Sequence, residues 1–153
     1  MSSASAGSAL KAAAVAGYTT LFPPPVLVTY GPEGTYQADD IVEVLGITMQ
    51  MGKGPQSVQR QRDYDWTLDG VINCYRGGGT EVQQTVTERA LAMLSQIADY
   101  HRDAGVVGSA QFTLGGSVLW SRLSSWEMAE EEDDISLGRT TVIVFTISGR
   151  IRA

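Results

Sequence analysis

The most regular pattern in the chain runs from Thr80 to about Asp103, where Val82, Val86, Ala90, Met93, Leu94 and Ile97 recur at steps of three and four. Glu81, Gln84, Glu88, Ser95, Asp99 and Arg102 hold the opposite face. This spacing predicts an amphipathic helix of about 35 Å, enough to cover a sheet. Thr80 followed by Gln83 matches a capping box and marks the helix start independently of the period. Other stretches repeat at steps of two. Trp66, Leu68, Ile72 and Cys74 share one side while Asp65, Thr67, Asp69 and Asn73 share the other, which predicts a strand with one wet face and Cys74 on its buried side. In "RTTVIVFTISGRIR" Ile143, Phe145, Ile147 and Ile151 fall on one face and Thr146, Ser148, Arg150 and Arg152 on the other, a closing strand. "LGGSVLWSRLSSWEM" (114–128) opens on a glycine turn and continues as a strand, with Val118, Trp120 and Trp126 on one parity and Leu119 and Leu123 on the other.

The β-branched runs "VLVTYG" (26–31) and "IVEVLGITM" (41–49) supply two further strands. Ahead of them residues 8–16 are rich in alanine and reach Gly17, which predicts a short helix with a glycine C-cap; Pro23, Pro24 and Pro25 forbid its continuation. Residues 1–8 are expected to be disordered. Residues 50–64 show neither period and contain glycine, proline and glutamine, so a long mobile loop is expected there, and the acidic run is expected at a hairpin tip, 129–138. The order helix, strand, strand, strand, helix, strand, strand lacks regular βαβ alternation. The expected architecture is therefore a single α+β domain over 1–153, with a mainly antiparallel sheet of about five strands packed by one long helix and a short N-terminal helix.

Charge sharpens this picture. The formal net charge is −6, and Glu130, Glu131, Glu132, Asp133 and Asp134 account for all but one of those charges. The acidity is local, and a body this close to neutral offers no broad basic face for counterion-driven binding to nucleic acid. Charged residues make up 18% of the chain, below the usual share of about 25%, which favours a molecule that covers part of its surface with partners. The single cysteine excludes an internal disulfide framework and a thiolate metal cluster. Alanine is too weakly apolar to make the N-terminus a convincing signal peptide, and no run approaches the ~18 apolar residues needed to cross a bilayer. A soluble protein without membrane partners is expected.

Candidate chemistry is sparse. "RGGGTEVQQ" has glycines at a helix start but no P-loop lysine, and the dinucleotide pattern fails at Val82. Glu81 in the first turn would repel an anion, so the bland reading is a tight strand-to-helix turn; a small nucleotide-binding enzyme using the 76–80 turn is kept as an alternative. His101 is the sole histidine and extends the apolar stripe near the helix end, which suits packing or capping rather than catalysis. Ser117 and Ser121 lack a nucleophile elbow. The consecutive carboxylates lack calcium-loop spacing. No catalytic residue, cofactor or metal ligand is expected. Two features remain as candidate interaction elements: the loop bearing Lys53, Arg60 and Arg62, and the acidic run with nearby Trp126.

Taken in order, the N-terminal helix, "VLVTYGPEGTYQADDIVEVLGI", "TVTERALAMLSQIADYHRD", "TLGGSVLWSRLSS" and "VIVFTISGRI" resemble the tail terminator proteins of long-tailed bacteriophages, from about Leu10 onward. The resemblance implies a non-enzymatic virion subunit, made in the host cytoplasm and placed at the head-proximal end of the tail. Its copies would form a hexameric ring that caps the tail tube protein, stops tube growth and offers the surface for a head-to-tail connector or stopper protein. It implies that Glu130 to Asp134 line the lumen, past which DNA moves as a passing polyanion, and that Arg60 and Arg62 meet a neighbouring subunit or the tube. Another connector, such as the stopper or a tail completion protein, fits the same texture.

Overall fold

The computed structural model describes residues 2–34, 38–51, 63–102, 112, 114, 117–133 and 138–152. Helix α1 spans Ser3–Leu21 and helix α2 Gln83–Arg102; the strands are β1 (Leu27–Tyr30), β2 (Asp40–Met51), β3 (Asp63–Gly77), β4 (Val118–Asp133) and β5 (Gly138–Arg152). The strands form one sheet in the order β1-β2-β3-β5-β4, parallel between β1 and β2 and antiparallel elsewhere. This is the expected α+β architecture.

Both helices lie on one face of the sheet. Ala6, Leu10, Ala14 and Tyr18 of α1 and Val86, Ala90, Met93, Leu94 and Ile97 of α2 share a core with Trp66, Leu68, Ile72 and Cys74 of β3 and Ile143, Phe145, Ile147 and Ile151 of β5. Those strand residues are the ones whose period-two spacing marked an inner face. Two aromatic side chains fit only because glycines lie beside them. A Cβ at Gly70 would meet the Phe145 ring, and one at Gly149 would meet the Trp66 indole. The opposite face carries polar pairs: Arg150 Nε donates to Asp65 Oδ1 at 2.8 Å and Arg152 Nε to Asp63 Oδ1 at 3.0 Å.

Several expected boundaries shift. α1 begins at Ser3, where the Ser2 hydroxyl caps the Ser5 N–H at 3.1 Å, so residues 3–8 are helical instead of disordered. Gly17 lies inside α1 and does not cap it; the Tyr100 hydroxyl occupies the space a Cβ would need. That packing compensates the roughly 1 kcal/mol that glycine costs a helix interior, and the prolines stop the helix four residues later than Gly17 suggested. The capping box does not form. Thr80–Val82 is a 3-10 turn, and Gln83 Nε2 donates to Thr87 and Thr141 hydroxyls, both at 3.3 Å. The expected 50–64 loop is trimmed by β2 and β3, which take residues 50, 51, 63 and 64; the remainder lies outside the described residues.

β4 differs most. It runs on to Asp133, so 129–133 are strand and not hairpin tip, and of the expected tip Gly138 is already β5 while 134–137 lie outside the described residues. Register shifts between Val118 and Trp120 and between Leu123 and Ser125 reset the alternation. Val118, Leu123, Trp126 and Met128 therefore lie opposite the inward Ile151, Ile147, Phe145 and Ile143, while Trp120 lies opposite Arg150 on the polar face. A constant period of two could not reproduce this, because each inserted residue reverses every side chain beyond it.

Candidate interaction surface

The strand-to-helix corner is closed upon itself. Glu81 Oε1 accepts the Gly79 N–H at 3.0 Å, and this bond holds the Glu81 carboxyl below its usual range. Gly78 takes the positive φ of 127° that the turn requires. Arg76 is likewise engaged: its Nη1 and Nη2 donate to Asp40 Oδ1 and Oδ2 at 2.8 and 3.1 Å, and Arg89 Nε donates to Oδ2 at 3.2 Å. Burial pushes the Asp40 carboxyl up, but the hydrogen bonds and charge of Arg76, with the Arg89 bond, outweigh it and leave it below the ordinary range. Burial pushes the Cys74 thiol up to about 12, so it is a poor nucleophile; its Sγ lies 3.6 Å from Met93 Sδ.

His101 is fully buried within a network that was legible in the sequence only as a packing position. The Ser121 hydroxyl donates to the His101 carbonyl at 3.2 Å, so its oxygen accepts from Nδ1–H at 3.0 Å, and Nε2 accepts from the Tyr18 hydroxyl at 2.6 Å. Each ring nitrogen is satisfied with the imidazole neutral, and burial lowers its pKa to about 3. The trio resembles a catalytic relay in its atoms but is shut away from solvent, and it ties α1, α2 and β4 together.

What remains open is the rim of the sheet. β4 is an edge strand, and on it Trp126 is 50% exposed, with Leu119, Trp120 and Met128 also exposed. Glu130 sits on the helix side, where its Oε1 accepts from the Thr87 hydroxyl at 2.9 Å; Glu131 is exposed opposite Thr140. The Glu132 and Asp133 backbones pair with Arg139 and Gly138. Lys53, Arg60, Arg62 and Asp134 lie outside the described residues. The far edge holds exposed residues that the sequence did not single out, because single apolar side chains at strand ends carry no periodic signal. Tyr30 is 57% exposed with Lys11 Nζ 4.1 Å from its ring centroid, and Met51 is 52% exposed. On the polar face an open depression of about 290 Å³ is lined by Asp65, Arg150 and Trp120 among others.

No protein-family model and no curated protein matches the chain. A solved virion shares the fold. The match is to a chain of the virion of a native gene transfer agent particle, over 97% of this chain and 93% of that one, with a TM-score of 0.50 and 13% identity. At this identity the likeness is one of fold.

Proposed function

We infer that the chain is a structural subunit of a phage-type virion, and specifically a tail terminator: a ring of copies, six in number, that caps the tail tube, halts its growth and presents the surface to which the head connector attaches. The observation that carries this reading is the near full-length fold likeness to a virion chain, joined to the order of elements that the sequence shares with tail terminators. Three features of the chain agree with it. Its corner glycines are occupied by Glu81, its histidine is sealed and neutral, and among the described residues its large exposed apolar side chains, Val144 of β5 apart, lie toward the two edges of the sheet. A ring needs two different complementary patches on every subunit, because head-to-tail contacts close through rotation. The acidic β4 strand with the segment after it would keep DNA from adhering as it passes.

The test is assembly. Tail tube protein from the same genome, polymerised with this chain, should give tubes of arrested length with added density at one end in negative-stain micrographs. Tubes that grow as they do without it, with bare ends, would sink the terminator reading. Tubes left uncapped while the chain decorates isolated head connectors would favour a stopper or tail completion protein instead.

A further inference from the structure

The registers of the sheet link its two edges. Trp126 of β4 lies opposite Phe145, Phe145 opposite Gly70, Gly70 opposite Val44, and Val44 opposite Tyr30 of β1. The two most exposed aromatics, Tyr30 and Trp126, thus end the same cross-strand row, at opposite rims and on the same face, the one that bears the helices. Strand direction adds a second relation. β1 and β2 run one way and β4 the other, so copies related by rotation about an axis along the strands bring β4 antiparallel to the next copy's β1. β1 covers β2 only at residues 41–44, and from Leu45 to Met51 no described strand lies on that side.

Charge selects among the pairings open to such an edge. From Leu123 to Asp133 β4 carries five carboxylates and no lysine or arginine. Two β4 edges placed together would set these rows against each other, and like charges across a strand pair are destabilising. The opposite rim presents Lys11 over Tyr30. We propose that the subunits join head to tail through these rims, with β4 of one copy pairing antiparallel with β1 and the adjoining 45–51 edge of β2 of the next, and Trp126 packing against the neighbour's Tyr30 beside Lys11. The inference rests on the ring reading above, and it names the surfaces and occupant that the ring requires.

Cysteine cross-linking distinguishes the two claims. Within one copy Trp126 and Tyr30 are separated by four strand spacings, about 19 Å, far beyond the ~7 Å that a disulfide spans. Cys74 is buried and does not compete. Full-length W126C and Y30C proteins, mixed at high concentration and oxidised, alone and with tail tube protein, should give a covalent dimer that neither gives by itself. The double variant W126C/Y30C should give a ladder on non-reducing gels ending at the ring. Melting curves matching the parent check folding, and both sites are exposed. If light scattering or micrographs find a ring but no mixed dimer forms, or W126C links to itself, the rim pairing is overturned while the ring stands. If the protein stays monomeric under both conditions, the rim pairing and the ring reading fall together.

Discussion

His101 is the one histidine of the chain, which makes its titration separable from all others. In the unfolded chain an imidazole binds its proton below about pH 6.5, whereas in the fold burial holds it neutral down to about 3. The unfolded state therefore binds more protons across that window, and stability falls as pH falls, by ~1.4 kcal/mol per pH unit at most. Asp40 also has a depressed pKa, so its contribution is present above the unfolded value near 3.9 and is lost at lower pH. Between about pH 6 and 4.5 the histidine dominates. Urea melts over that range should lose about 2 kcal/mol in the parent protein, with a much flatter response in His101→Gln; equal slopes would show that the imidazole is protonated without cost. The sequence could place His101 on the apolar stripe but not name Tyr18 and Ser121, which lie 83 and 20 residues away and meet it only through tertiary packing.

At the scale of elements, legibility followed regularity. α2, β3 and β5 each keep one period over most of their length, and their large buried apolar side chains were readable from spacing alone. β4 was not, since two register shifts in sixteen residues break the alternation, and α1 ran past a glycine whose role depends on Tyr100. No local pattern announced the cluster joining three elements at Asp40, the first residue of β2, which holds Arg76 from β3 and Arg89 from α2. The Asp40 side chain is 11% exposed, so its charge is paired in a poorly solvated place. Removing it leaves two guanidinium groups facing a weaker acceptor. Asp40→Asn should cost about 2–3 kcal/mol, which for a chain of this size lowers Tm by about 5–10 °C in a circular dichroism melt. A change under about 1 °C would mean that water replaces the carboxylate at no cost.

For the whole molecule, one face of the sheet is filled by helices and the other is mainly polar, with Val144 exposed on it, so most of the large apolar side chains left exposed among the described residues lie toward the rims. Trp126 at one edge and Tyr30 and Met51 at the other are about half exposed in the isolated chain, and Met128 beside Trp126 is over a third exposed. Aromatic side chains of this size dominate interface energetics when buried, and long edge strands without a partner are an aggregation hazard that proteins ordinarily cover or charge. If copies cover these rims for one another, native stability becomes a function of concentration, because association stabilises the folded state by mass action. For a ring, each tenfold increase in protein should add a little over 1 kcal/mol per subunit, or about 3 °C in Tm. Trp126→Glu places a sixth carboxylate on an already acidic strand, so it should abolish that dependence while leaving the dilute melting temperature close to the parent's. Differential scanning fluorimetry from micromolar to near-millimolar protein reads both. A flat Tm in the parent over that range would mean that free subunits do not associate, and a slope unchanged by Trp126→Glu would move the contact away from β4.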